Sequence, residues 1–174
     1  MNNVVKGVLI LLFCLFVSSP AWATQAAAVI KGTTEGSQVS GTVTITALDE
    51  GIEIDANVAN VSPGKHGFHI HEFGSCDDTG KAAGGHYNPM NVQHGLVTKD
   101  GMEHAHCGDF GNIEVGADGT GHLKVFVSGL SIEDGEFNVA GRAFILHEKE
   151  DDFGQPTGNA GGRIGCGPIV ISGN

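Results

Sequence analysis

Apolar and polar residues alternate with a period of two along much of this 174-residue chain, in VSGTVTITAL (39–48), GIEIDANVAN (51–60), GNIEVGADGTGHLKVFV (111–127) and GRAFILHE (141–148). Alternation sends successive side chains to opposite faces of an extended strand, so each segment offers one face to a core and the other to solvent. No stretch carries the spacing of an amphipathic helix, which excludes helical bundles and strand–helix–strand architectures. The 28 glycines supply tight turns, and DEG (49–51) and ADG (117–119) have the composition of hairpin turns. Six to eight short strands in a chain of this length predict an all-β fold, an antiparallel sandwich or barrel.

Two long segments lack strand character, residues 72–108 and 148–162. Loops of that length in a compact domain are usually functional or disordered. The nine histidines discriminate between the two: His86, His94, His104 and His106 lie in the first loop, His69 and His71 immediately precede it, and His147 opens the second. In HGFHIHEFGSC (66–76), a strand would send His69 and His71 to one face and Phe68 and Ile70 to the other. That geometry suits two ligands of one metal, and it is equally compatible with a surface strand pair. One ion takes about four protein ligands in a tetrahedral or tetragonal site, so this many imidazoles together with Asp109 indicate two sites.

The chain begins MNNVVK, continues with the apolar run GVLILLFCLFV and then reads SSPAWA. A short basic start, an apolar run too short to span a bilayer and a small-x-small motif describe a secretory signal peptide over residues 1–23, cleaved near Ala23. One domain, 24–174, follows. The leader carries one of the nine basic residues and none of the twenty acidic ones, so the mature chain has a formal charge of 8 − 20 = −12. That charge argues against nucleic acid and anionic membranes as partners. Of the cysteines, Cys76, Cys107 and Cys166 remain after cleavage, and an exported chain meets conditions under which one pair can close.

The segments HGFHIHEFG, AGGHYNP, HCGDFGN, GRAFILHEKEDDFG and GNAGGRIGCG resemble signature segments of the copper/zinc superoxide dismutases over essentially the whole mature chain. The resemblance implies an eight-stranded antiparallel Greek-key sandwich or barrel with two long functional loops, an architecture for which this family is itself a standard example. It implies one copper per chain on His69, His71, His86 and His147, and one zinc on His86, His94, His106 and Asp109. His86 then bridges the two, which requires an imidazole deprotonated at both nitrogens. Asp151 matches a carboxylate that hydrogen-bonds one histidine of each site, here His69 and His94. Arg163 matches the arginine that holds the anionic substrate, and Cys76 and Cys166 match the intrasubunit disulfide. The implied activity is dismutation: one superoxide is oxidised to dioxygen and a second is reduced, with two protons, to hydrogen peroxide. His86 would release copper and carry a proton between the two halves.

Several residues keep more than one reading. His104 competes with His106 for zinc, and the His-x-x-Asp spacing favours His106. Cys107 is a buried thiol, an alternative zinc ligand or an intermolecular disulfide partner. His66 reads as a hydrogen-bonded structural histidine and His122 as a solvent-facing strand residue. The position of Cys76, five residues after His71, resembles the bacterial exported branch and implies a periplasmic or extracellular protein, whereas HEKEDDFG resembles the animal enzymes. A homodimer is possible, and the mixed character leaves its interface open. Only DFGQPTGNAGG separates Asp151 from Arg163, so close-range attraction of substrate falls to Arg163, with Lys149 the nearest basic residue in sequence and Lys81 a candidate from the other loop. The main alternative is a secreted copper- and zinc-binding or copper-delivery protein without turnover; an adhesion sandwich with incidental histidines does not explain the ordered spacing.

Overall fold

A computed structural model describes residues 24–172; the leader over residues 1–23 lies outside the described residues. The alternating segments form antiparallel strands β1 (Gln25–Gly32), β2 (Ser40–Leu48), β3 (Gly51–Ala59), β4 (Gly64–His71), β5 (Asp109–Val115), β6 (Gly121–Ser128), β7 (Ala143–His147), β8 (Arg163–Pro168) and β9 (Val170–Ser172). Neighbours run β2-β3-β6-β5-β4-β7-β8-β1, and β1 pairs with β2 to close an eight-stranded barrel. β9 continues the line of β8 beyond Ile169 and pairs with the start of β1. Because β3 lies beside β6 and β4 beside β7, the connections β3–β4 and β6–β7 both pass over intervening strands, which is the Greek-key crossing. Among the described residues, closure leaves no long unpaired edge.

Alternation fills the barrel as the sequence predicts. Ala26, Ala28 and Ile30 of β1, Val43 and Ile45 of β2, and Ile52, Ile54, Ala56 and Val58 of β3 point inward and are buried. Phe68 and Phe144 stack 5.1 Å apart in the same core. Burying side chains of this size stabilises by about 1.5–3 kcal/mol each. β4 and β7 differ from the other strands in being buried on both faces: every residue of β7 is buried, and so are His66 through His71 of β4. Their outer faces are covered by the loops 72–108 and 148–162, which are the segments without alternation. The loop 72–108 contains a 3-10 turn at Lys81–Ala83 and a single helical turn, α1 (Val97–Asp100). A third connection, residues 129–142, sends Leu130, Ile132 and Val139 into the core.

Two one-residue bulges set which side chains reach that covered face. Along β4–β5, Gly67 pairs with Asn112 but His69 pairs with Asp109, so β5 carries one extra residue. Residues three apart in a regular strand face opposite ways; the bulge turns both Asp109 and Asn112 outward while Phe110 and Ile113 stay in the core. Along β7–β8, Leu146 pairs with Gly165 and His147 with Arg163, which turns both Arg163 and Cys166 outward in the same manner. The β5 bulge contains Gly111 at φ 73°, a left-handed conformation that costs a residue with a side chain about 1–2 kcal/mol. An added Cβ would also lie 3.1 Å from Leu96 Cδ1.

Gly111→Ala should therefore destabilise the metal-free protein by about 1–2 kcal/mol. It should also weaken zinc binding in chelator competition, because Asp109 is re-aimed. A melting temperature and zinc affinity equal to those of the unchanged protein would show that the bulge does not need glycine.

Candidate metal centre

The outer face of β4 and β7 and the two loops above it gather seven buried ligand-type side chains into two sets. His69, His71, His86 and His147 form one, and His86, His94, His106 and Asp109 the other; within each set the ligand atoms lie within 4.8 Å of one another. His86 belongs to both. Strand periodicity delivers His69, His71 and His147, the β5 bulge delivers Asp109, and the loop 72–108 delivers the rest. His104 is exposed and joins neither set, while His106 does.

Hydrogen bonds at the far side of each ring fix which nitrogen faces inward. His71 Nδ1 donates to the carbonyl of Gly84 at 3.0 Å and His147 Nδ1 to that of Gly161 at 3.4 Å, so each Nε2 keeps its lone pair. Those two Nε2 atoms lie 3.3 Å apart. His69 and His94 are oriented the other way: their Nε2 atoms donate to Asp151 Oδ2 at 2.8 Å and Oδ1 at 2.9 Å. Their buried Nδ1 atoms are left without a hydrogen-bond partner. His94 Nδ1 lies 2.6 Å from Asp109 Oδ2 but out of hydrogen-bond alignment. His86 Nδ1 lies 2.7 Å from Asp109 Oδ1, leaving Nε2 to face the first set. Bare nitrogen lone pairs and carboxylate oxygens converging in a dry layer fit bound cations: an all-imidazole set suits copper, and three imidazoles with a carboxylate suit zinc.

Asp151 is fully buried and bonded on every side. Besides the two imidazoles, its Oδ1 accepts from Phe153 N at 2.8 Å. Its backbone is clasped by Asn112, whose Oδ1 accepts from Asp151 N at 2.7 Å and whose Nδ2 donates to Asp151 O at 2.9 Å. Phe153 adopts φ 59° to make its contact, and its ring stacks 6.3 Å from His94. A side chain at Gly158 would collide with Asp151 Oδ1, so only glycine allows the second loop to close over this pair. Asn112, Phe153 and Gly158 were not legible as site residues from the sequence; the one local signal, a glycine directly before Asn112, marks a bulge only once pairing is known.

Arg163 lies between the loops, donating from its two terminal nitrogens to Gly80 O and Gly84 O, each at 2.6 Å. Cys166, on the same face, is disulfide-bonded to Cys76 of the first loop. Cys107 is a fully buried free thiol, pushed up to about 11 chiefly by burial and then by the nearby charge of Asp109. His66 is also buried, with its nitrogens 2.9 Å from His147 O and 2.8 Å from Ser62 O, while His122 on β6 is exposed and meets Asp55 at 3.0 Å. Lys149 is exposed and its backbone N–H bonds Ala160 O. A groove of about 850 Å³ on the outer face of β1, β2 and β3 includes none of the clustered residues.

Burial keeps the first set neutral: it lowers His86 to about 4 and His147 to about 3, and it depresses His71 as well. Burial alone would also lower His94, but its contacts with Asp109 and Asp151 outweigh that and raise it to about 9. Contacts with His106, His86 and His94 hold the Asp109 carboxyl, and contacts with His69 and His94 the Asp151 carboxyl, well below their usual range despite burial. In the metal-free protein, the unfolded chain thus binds more protons on His86 and His147 below their ordinary value of 6.5. Their contribution to stability is present above that pH and is lost as pH falls toward about 4 and then about 3. The contribution of His94 runs the other way: it is fully present below 6.5 and is lost as pH rises through about 9. Melting of metal-free protein should therefore occur at lower temperature near pH 4.5 than near pH 7; a constant or rising midpoint on acidification would contradict neutral buried imidazoles.

Comparison with known proteins places this geometry. Residues 39–169 match the family model described as copper/zinc superoxide dismutase (SODC), a span that covers β2 to β8 and both loops. A superoxide dismutase [Cu-Zn] of Onchocerca volvulus is 37% identical over 161 residues, covering 86% of this chain and 97% of that protein. An extracellular superoxide dismutase [Cu-Zn] of Brugia pahangi is 34% identical over 148 residues, covering 79% of this chain and 72% of the other. Among solved structures, that of the clock protein EA4 superposes with a TM-score of 0.75 at 32% identity, covering 89% of this chain and 99% of that one. A match that runs through the barrel and both covering loops, at this identity, makes the chain a member of the copper/zinc superoxide dismutase family.

Proposed function

We propose that this chain dismutes superoxide, with copper held by His69, His71, His86 and His147 and zinc by His86, His94, His106 and Asp109. The observation that carries the reading is that one imidazole, His86, belongs to both buried sets while a guanidinium, Arg163, stands beside the first. A storage or delivery protein needs neither. Bound copper supplies the one-electron oxidation and reduction that dismutation requires, and bound zinc supplies a fixed charge.

The chain's own groups do the remainder. The carbonyls of Gly84 and Gly161 prevent His71 and His147 from turning their Nε2 lone pairs away. Asp151 does the same for His69 and His94, one from each set, so the geometries of the two sites are coupled through one carboxylate. Arg163 spends two N–H groups on Gly80 and Gly84 and retains the rest of its five for a small oxyanion. His86 Nε2 is the atom at which a proton can be held and returned between half-reactions. The covering loops exclude bulk water from all seven ligands.

We further propose that residues 1–23 are removed near Ala23 and that the domain 24–174 is released to a periplasmic or extracellular space. The extracellular relative and the Cys76–Cys166 disulfide support export, and no described helix is long and apolar enough to cross a membrane. A homodimer is supported by exposed apolar side chains beside the disulfide, Val29 at 58% and Val170 at 65% exposure. Sedimentation should give twice the mature mass and fall to one chain in Val170→Glu; a monomer at micromolar concentration would rule the pairing out.

Metal analysis of purified protein should find about one copper and one zinc per chain, with rapid superoxide decay. With cobalt in place of zinc, the cobalt and copper should be magnetically coupled through His86. Arg163→Ile should slow decay by roughly tenfold or more, the effect of losing about 1.4 kcal/mol or more of transition-state stabilisation. Stoichiometric metal without turnover would favour storage, and uncoupled metals would refute the shared imidazole.

A further inference from the structure

His94 stands in a stretch of the first loop, residues 91–96, that forms no helix or strand. Among the described residues, its backbone N–H and C=O bond no other backbone group. Both are taken instead by one side chain of the second loop. Gln155 Oε1 accepts from His94 N at 3.1 Å, and Gln155 Nε2 donates to His94 O at 2.8 Å. A primary amide carries an acceptor and a donor side by side, so it can answer an N–H and a C=O at once, as a neighbouring strand would. The ring of the same histidine is held from the same loop: Asp151 Oδ1 accepts from Nε2 at 2.9 Å, and the Phe153 ring stacks 6.3 Å away. Residues 151–155 thus grip His94 at backbone and ring, and leave Nδ1 facing Asp109.

The segment that supplies these grips is closed on itself. Asp152 accepts on Oδ1 from Gly154 N at 2.8 Å, and both its carboxylate oxygens lie 3.1 Å from Asn159 Nδ2. Asp152 N donates to Gly158 O at 2.9 Å and Gly158 N to Gly154 O at 2.6 Å. At its base, the Asn112 clasp fixes Asp151 to β5. Gln155 lies near the middle of this turn, and its backbone position is set by bonds that do not involve His94.

We propose that Gln155 is a positioning residue for zinc: it holds the His94 backbone so that Nδ1 stays aimed into the second set, and thereby slows release of the ion. The inference rests on the reading of that set as the zinc site. A ring tied only through Nε2 can still swing with its backbone; Gln155 fixes the point from which the ring hangs. Because both grips come from one closed turn, lifting of that turn and departure of His94 from the ion are a single event. The first set is linked to the turn only through Asp151 and His69, and both hydrogen bonds of the Gln155 side chain go to His94, so the effect belongs to zinc rather than copper.

The test uses metal-loaded protein and follows zinc release into excess chromogenic chelator, with copper release measured separately after reduction and with zinc in excess. Gln155→Met keeps the length of an exposed side chain and removes both bonds; it should speed zinc release by roughly three- to tenfold and copper release by no more than about twofold. Gln155→Glu keeps the acceptor but sets an oxygen against the His94 carbonyl, and should not restore slow release. Asn159→Gly cuts the tie to Asp152 while permitting the same backbone angle, φ 52°, and leaves the His94 clasp in place. It should change zinc release by no more than about twofold. Unaltered zinc release in Gln155→Met, full retention in Gln155→Glu, or equal acceleration in Asn159→Gly would overturn the assignment. Metal release needs no superoxide chemistry, so a protein that holds both metals without turnover would fail the dismutase reading while these rates still decide the role of Gln155.

Discussion

Nitrogen lone pairs aimed at one another in a dry layer are the constraint on which this structure depends. His71 and His147 bring their Nε2 atoms within 3.3 Å of one another. Two neutral acceptors at that range repel, and burial denies them water. A shared cation satisfies them, and the surrounding hydrogen bonds hold the rings in the orientation that offers it. Each ring whose far nitrogen donates to a carbonyl or to Asp151 has no freedom to flip its bare nitrogen to safety. Burial, which lowers His86 and His147, also keeps protons from taking the cation's role near neutrality.

The barrel contributes an outer wall rather than an inner cavity. Its interior is filled with Ile, Val, Ala and Phe, so the chemistry sits on the reverse side of strands that would ordinarily face solvent. The cost of covering that side is two long loops with little regular structure, and three ties hold them down: the disulfide, the Arg163 clasp and the Asp151–Asn112 clasp. The two bulges serve the same end. Each lets one strand present two functional side chains three residues apart on one face, Asp109 with Asn112 and Arg163 with Cys166, without pulling a core residue out.

Much of this was legible in the sequence because period two is a direct imprint of a half-buried strand. The expected segments 39–48 and 51–60 lie within a residue of β2 and β3, and the loops 72–108 and 148–162 are the intervals between β4 and β5 and between β7 and β8. β1 escaped notice because Ala26 and Ala28 are small and follow directly on an apolar leader. β8 escaped because its Gly165 and Gly167 carry no side chain to alternate. The ligand histidines and the Cys76–Cys166 pair came from resemblance to signature segments, whereas spacing alone left His69 and His71 ambiguous. Bulges could not be read, since an extra residue is defined against a partner strand the sequence does not identify.

The reach of the ligand set along the chain has a consequence for assembly. The first site draws on residues from His69 to His147, Asp151 joins both sites from beyond that span, and the disulfide closes 90 residues. No short segment holds the first set, whereas the second lies wholly within residues 86–109. Loop-closure entropy must be met before any of these distant groups converge. The first set can therefore close only once β4 and β7 have paired, whereas the second asks only that one loop fold upon itself.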